Sequence, residues 1–428
     1  MPADLSLTEQ LAQRLARPVD AATRARARVH LLDWLGCVAG ARREGVAAVA
    51  RVAEPDPMTR AALMGNVLEM DDVDRIGRLH PGPVVWPAAL CAARDNSFAL
   101  RAARQQYAEM AALLDGGVCG YEAMVTVGRM LDDHHYAHWH PTATAGSFGA
   151  AAAAASVFEL DNAATVAALG NAGSVAGGLW RMRHEGVMTK AMHVAHAGLS
   201  ALWFARLARA GFTGPRLILE GEQGMFAAMT RSPRPVPDTP GWRIGEVSFK
   251  PWPACRHAHP AIDAALLLGD ALGEGEILVE TYSDALRFCD NPNPETAVAA
   301  KFSLQHAVAV VAVKGRPTLA DFEPKALARF AELRARVVVR EAADLTAAYP
   351  AHFGARVSAG GRTVIAADAL GDPENPISVD DLIAKLRSLV AWGGLAESEA
   401  DMAIALVLES ADDAPTLPLL DLITRWTV

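Results

Sequence analysis

Four stretches of this chain set titratable side chains among small and apolar neighbours. In Leu68-Glu-Met-Asp-Asp-Val-Asp-Arg and Leu79-His-Pro-Gly, the pair Asp71 and Asp72 precedes His80 by nine and eight residues. A carboxylate beside a histidine fixes its tautomer and raises its basicity, as proton abstraction requires. The structural alternative is a carboxylate pair facing water at a helix end. In His138-Trp-His-Pro-Thr-Ala-Thr-Ala-Gly-Ser-Phe-Gly, followed by six alanines, His140, Thr142, Thr144 and Ser147 stand ahead of a small-residue helix. The N–H groups at such an end attract carboxylates, so these residues form one wall of a candidate acidic-ligand site. Their plainer use is capping by Thr144 or Ser147. In Met188-Thr-Lys-Ala-Met-His-Val-Ala-His, helical spacing aligns Lys190 with His193, with His196 slightly to the side. Apolar neighbours there predict a buried lysine, which calls for an anionic partner. Finally, Phe249-Lys-Pro-Trp-Pro-Ala-Cys-Arg-His-Ala-His-Pro offers Lys250 and Arg256 as cations, with His257 and His259 on one face of an extended segment. A strap held by structural salt bridges would use the same residues.

Imidazoles can move protons and cations can neutralise carboxylates. Removing a proton next to a carboxylate builds a second negative charge, which needs positive groups where it develops. Metal is the competing use of Cys255, His257 and His259, and of His134, His135, His138 and His140. Neither run has a familiar zinc spacing, so no metal is expected.

These residues need elements to position them. The 428 residues suffice for two or three domains, and a composition of 51% hydrophobic but 6% aromatic residues points to helix-rich packing. A formal charge of -9 without a basic run argues against nucleic acid or an anionic membrane as partner. No stretch approaches the ~20 apolar residues of a spanning helix, and Met1–Gln10 has no leader pattern, so a cytoplasmic protein is expected. Cys37, Cys91, Cys119, Cys255 and Cys289 are scattered and odd in number, which predicts free thiols. No Gly-x-Gly-x-x-Gly, Walker-type loop or Gly-x-Ser-x-Gly elbow occurs, which turns the reading away from nucleotide cofactors and acyl-enzymes.

Apolar periodicity predicts helices at Leu5–Arg17, Ala21–Ala39, Glu44–Val52, Val84–Ala93, Met110–Leu131, Ser147–Glu159, Ala163–Ala172 and Thr189–Ala210. Ser147–Ser156 and Gly170–Gly178, rich in Ala, Gly and Ser, are expected to be close-packed central helices. The three prolines of Ser232–Thr239 mark a connection. Beyond it, strands are expected at Ile277–Tyr282, Arg336–Arg340, Ala355–Ser358 and Arg362–Ala366, the last two joined as a hairpin by Ala-Gly-Gly. Helices at Pro260–Leu272, Val298–Val313 and Val379–Leu389 lie between or after them. The fold class is therefore mostly α: an all-helical domain over residues 1–240, to which 395–428 return, and a smaller α+β domain over 241–394.

The motifs occur in the order Asp-Asp…His-Pro, Gly-Tyr-Glu…His-Pro-Thr-Ala-Thr-x-Gly-x-Phe-Gly-Ala-Ala, Lys-x-x-His-x-x-x-Ala, Gly-Phe-Thr-Gly-Pro…Leu-Glu-Gly, Phe-Lys-Pro-x-Pro…Cys-Arg-x-x-His-Pro-Ala-Ile-Asp and Ala-Lys-Phe-Ser-Leu. In that order they resemble the MmgE/PrpD family, which contains 2-methylcitrate dehydratase, cis-aconitate decarboxylase and an iminodisuccinate epimerase. The resemblance implies an α+β lid over the helical domain, a site in the cleft between them, a homodimer, and chemistry on small polycarboxylates without metal or organic cofactor. It matches Asp71 or Asp72, His80, His140 and Lys190 to catalytic positions, and Lys250 with His257 or His259 to the strap. Two positions depart from the pattern. His306 stands where Phe-Ser-Leu-x-Tyr has a phenol, and Trp252 follows Lys-Pro where tyrosine or phenylalanine is usual. His306 then joins Thr142, Thr144, Lys250, Arg256, His257 and His259 as a candidate substrate contact. The expected activity is a dehydratase-like lyase. Epimerisation, decarboxylation, a non-catalytic carboxylate-binding protein and a metallohydrolase remain open alternatives.

Overall fold

The computed structural model describes residues 5–102, 108–236, 238–273 and 275–428, which leaves Pro237 of the proline-rich connection outside the described residues. The chain packs as two compact units. The first comprises Met1–Val67, Asp71–Val247 and Val379–Val428, and the second Leu68–Met70 and Ser248–Ser378.

In the first unit the helix Pro141–Val157 is buried along its length, Ser156 excepted. It packs against Met110–Met130, Thr189–Arg209, Gly82–Ala102 and Asn162–Ser174. Its small residues are what allow this. A Cβ on Gly149 would lie 2.6 Å from Met124 Cβ and 2.9 Å from Gly120 O, so the two backbones meet where neither carries a side chain. The helix starts at Pro141, earlier than the expected Ser147, because proline at the first position is already set for the helix. Thr142 and Thr144 therefore sit in its first turn and His140 at its N-cap. The second small-residue helix ends at Ser174, so 175–178 is not helical as expected.

Met110–Met130 is, among the described residues, long and apolar enough to cross a membrane by length and composition. Asp115, Glu122 and Arg129 interrupt its apolar run, and 83% of its most apolar window is buried inside the protein.

The second unit carries a four-stranded sheet of order β2-β1-β3-β4, with β1 Ile277–Thr281, β2 Val337–Glu341, β3 Ala355–Ala359 and β4 Arg362–Ala366. β1 and β2 are parallel, and the other pairs are antiparallel. The β3–β4 hairpin turns through Gly360 and Gly361, at φ +56° and +74°, the left-handed pair that a two-residue turn needs. The helix His259–Leu268 packs on β3 and β4. The expected Val298–Val313 helix is broken into Ala297–Lys301 and Leu304–Lys314, because the Ser303 side chain caps the second piece at His306 N.

Two boundaries differ from the expected ones: the first unit runs on to Val247 past residue 240, and it resumes at Val379 before residue 395. The helix Val379–Trp392, assigned by its sequence position to the α+β domain, packs on Ala21–Gly40 in the first unit. Leu386 and Leu389 fill the space left by Gly36, where a Cβ would lie 3.3 Å from Leu389 Cδ1.

Candidate active site

The segment between the helices Pro57–Met64 and Gly82–Ala102 is held open by short backbone ties. Asp74 and Leu79 pair in an isolated bridge, and Arg129 from Met110–Met130 grips the Asp74 carboxylate. His80 follows at the edge of this loop, its N–H donating to Thr142 Oγ1 at 3.1 Å.

Its ring is oriented by two acceptors. His80 Nδ1 lies 2.9 Å from Asp71 Oδ2 and 2.9 Å from the Asp72 carbonyl oxygen. Neither oxygen can donate, so the proton belongs on Nδ1 and the lone pair on Nε2. Asp71 is in turn held by Asn66 Nδ2 at 2.6 Å and is 1% exposed.

Asp72 faces elsewhere. Its Oδ2 is 2.8 Å from His30 Nδ1 and accepts from the Tyr121 hydroxyl, and its Oδ1 accepts from Gly82 N at 2.8 Å. Burial pushes its carboxyl up to about 6 against the pull of Tyr121 and Gly82, with the Asp71 charge adding to the rise. Burial also drives the His30 imidazole well down and holds it neutral. Asp71 is thus the residue that serves His80, and Asp72 ties the loop to the helices Ala21–Gly40, Gly82–Ala102 and Met110–Met130.

His140 brings a second imidazole. Its backbone N–H donates to Gly178 O at 2.8 Å, and its ring lies 4.4 Å from Trp180 and 5.7 Å from His193, centroid to centroid. The ring is 1% exposed and Nδ1 has no hydrogen-bond partner. Burial lowers its pKa far below the usual histidine range, and the positive charges of Lys190, His193, His80 and Arg183 lower it further. His193 is likewise lowered by burial, with His196 adding to it, and its Nδ1 is also buried without a partner. Lys190 is half-buried in the first turn of Thr189–Arg209.

The first unit therefore gathers His80, His140, His193 and Lys190 into one neighbourhood, with Asp71 behind His80. An environment weighted toward positive charge, with unpartnered imidazole nitrogens, suits an anion that carries an abstractable proton.

Thr142 and Thr144 depart from expectation. Both are buried, Thr142 holding the His80 backbone and Thr144 bonded to His135 Nε2 at 3.0 Å and to helix carbonyls. They position the loop and leave no hydroxyl exposed for a ligand. Ser147 bonds back to Ala143 O.

In the second unit, Lys250 is fully buried with Nζ 3.8 Å from Glu69 Oε2. Arg256 pairs with buried Asp372, which also accepts from Ser248 Oγ at 2.6 Å; Arg256 Nε and Nη1 have no hydrogen-bond partner. The three histidines expected to contact substrate turn into this unit instead. His257 Nδ1 is 2.6 Å from the Tyr282 hydroxyl, and its ring is sandwiched by Phe288 and Phe353. His259 Nε2 is 3.1 Å from Ala254 O. His306 is 0% exposed, donates from Nε2 to Asp321 O at 2.9 Å and accepts from Arg334 at Nδ1. In each case the ring finds partners inside its own unit, which a core histidine must do. Among the described residues no group of three or more His, Cys, Asp or Glu could hold a metal ion.

Comparison with known proteins fits this constellation. Residues 57–237 match the MmgE/PrpD N-terminal domain and residues 252–411 the MmgE/PrpD C-terminal domain. The chain belongs to the MmgE/PrpD family. A cis-aconitate decarboxylase-like protein, oryM, of Aspergillus oryzae (strain ATCC 42149 / RIB 40) is 27% identical over 300 residues, 63% of this chain and 61% of that protein. The cis-aconitate decarboxylase of Homo sapiens is 27% identical over 197 residues, 43% of this chain and 40% of that protein. The chain thus spans about three fifths and two fifths of the length of these curated MmgE/PrpD relatives. The C-terminal family match crosses Ser378, so its last residues pack with the first unit.

Proposed function

We propose that this protein is a cofactor-independent lyase that abstracts a proton next to a carboxylate of a small hydroxylated di- or tricarboxylate and eliminates water. The observation that carries this reading is the His80 ring, whose Nδ1–H is committed to Asp71 and the Asp72 carbonyl so that Nε2 presents a lone pair. When Nε2 takes the α-proton, Asp71 stabilises the imidazolium. The electron pair left on carbon forms the double bond as the hydroxyl on the adjacent carbon departs as water, taking back the proton that His80 Nε2 has just received. Lys190 can steady the negative charge. His140, held neutral, offers a hydrogen-bond donor and a lone pair but no fixed charge.

Decarboxylation is the second reading, favoured by the names of both curated relatives. There carbon dioxide leaves and the carbanion takes a proton from solvent or from protonated His80. The two are separated by incubating the enzyme in deuterated water with a hydroxylated tricarboxylate and, separately, with cis-aconitate. A new near-ultraviolet absorbance without gas release supports dehydration. Carbon dioxide release with deuterium in the product supports decarboxylation, and exchange without a new double bond or gas overturns both in favour of epimerisation. In whichever assay turns over, H80Q should lose about 10²–10⁴-fold, the usual worth of a general base.

A further inference from the structure

The loop that delivers His80 is closed on itself before it reaches the ring. Asp74 N–H donates to Leu79 O at 2.8 Å and Leu79 N–H donates back to Asp74 O at 3.2 Å, while Asp74 Oδ2 accepts from Gly77 N at 2.7 Å. Closing residues 74–79 in this antiparallel register runs 71–73 back alongside 80–82, where Asp72 Oδ1 meets Gly82 N. That is how Asp71, nine residues before His80 in the chain, comes to lie 2.9 Å from its Nδ1.

Both partners of the bridge are seated on adjacent residues of Met110–Met130. Leu79 lies over Gly128, where a Cβ would come 2.0 Å from Leu79 Cδ2. The next residue, Arg129, holds the Asp74 carboxylate, with Nε 3.2 and 3.1 Å from Oδ1 and Oδ2 and Nη2 on Oδ1. Its Nη1 pairs with Glu246, which also accepts from Arg243 Nη1 at 3.2 Å, so the guanidinium is held at both ends. The Asp74 and Arg129 side chains are 0% and 7% exposed. A buried charge pair is often no more stabilising than apolar residues of the same volume; what the arginine fork adds is a fixed direction.

We infer that Asp74 and Arg129 are positioning residues that hold the 74–79 loop in register, so that the Nδ1–H of His80 stays on Asp71. The inference rests on the reading of His80 as the base. The guanidinium fixes Asp74, the bridge carries that position to Leu79, and His80 follows directly in the chain. Thr142 holds the His80 backbone N–H in either case; the clasp sets the side of the loop that carries Asp71. With the carboxylate or the fork removed, the loop is left to its backbone hydrogen bonds, and the ring can exchange its tautomers.

The test follows the neutral His80 ring in the full chain labelled with ¹⁵N at histidine, its signals identified by absence in H80Q. The unmodified chain should show one tautomer, protonated at Nδ1. D74N, and R129K, which keeps the charge but removes the fork, should each show the averaged nitrogen signals of two exchanging tautomers. L389A, which weakens the same unit elsewhere, should keep the single tautomer. In turnover, kcat and kcat/KM should fall together by about 10²-fold in D74N and R129K, the cost of a misplaced catalytic group. A single Nδ1–H tautomer in either variant when folded overturns the inference, and so does averaging in L389A or in the unmodified chain. If neither D74N nor R129K folds, the pair holds the unit and not the ring, and the inference falls. Because the ring is observed without substrate, its tautomer is independent of turnover. Failure of the base assignment would appear instead as an H80Q enzyme that retains activity.

Discussion

Asp71 and Asp72 are chain neighbours, yet their carboxylates leave the backbone toward different partners and so acquire different chemistry. Asp71 reaches the His80 ring, and Asp72 accepts from Gly82 and Tyr121 beside His30. D71N should therefore reduce turnover by about 10²–10⁴-fold with the fold retained, because an amide can no longer support the imidazolium. D72N should instead act on stability, with a definite pH dependence. The folded carboxyl is raised to about 6 from 3.8, so its contribution is fully present below pH 4 and is lost as pH rises through 6. The stability advantage of the unmodified chain over D72N should shrink by about 2 kcal/mol between pH 4 and pH 6, read by urea titration at each pH. A constant or growing difference would contradict the assignment of Asp72. At this scale the sequence marked His80, His140 and Lys190 as candidates, because a polar residue beside proline or amid alanine is conspicuous. It missed His30 and Asp33, although two polar residues three apart in the apolar run Val29–Leu35 were a usable signal. It misjudged His257, His259 and His306, because residue type does not say whether a ring turns outward or finds a partner in its own core.

The helix Pro141–Val157 sets the site because His140 caps it and Thr142 holds His80, so its depth in the first unit is fixed by what it packs against. That depth rests on the glycine contacts with Met110–Met130. G149A adds one methyl where Met124 Cβ and Gly120 O stand within 3 Å, and the carbonyl cannot move without bending its helix. The variant should lose about 1–3 kcal/mol by denaturant titration, and His140 and His80 should shift together because the helix capped by His140 also holds the His80 backbone through Thr142. An unchanged midpoint would mean the helices can separate freely. Elements with strong local rules were legible: the Gly360-Gly361 hairpin follows from two left-handed positions, and the amphipathic helices from their period. The start of Pro141–Val157 was not, since a run of Gly, Ser and Ala has no apolar period, and the polar residues before Ser147 suggested a loop. Proline at its first position was the overlooked sign.

Across the whole chain, the last fifty residues return to the first unit and bring Lys385 with them. The sequence placed that return at 395 because Val379–Trp392 follows the strands directly and its apolar face does not say which partner it meets. Packing decides it: Leu386 and Leu389 are each 1% exposed and lie over Gly36, and the buried Asp33–Lys385 pair joins the same two helices. Deleting a buried leucine costs about 2–5 kcal/mol, and the cavity weakens the unit that contains it. L389A should therefore raise hydrogen exchange in peptides covering 21–40 and 110–157, while peptides covering β2, β3 and β4 keep their protection. Exchange rising instead in 337–366 would return this helix to the α+β unit and separate Lys385 from Asp33.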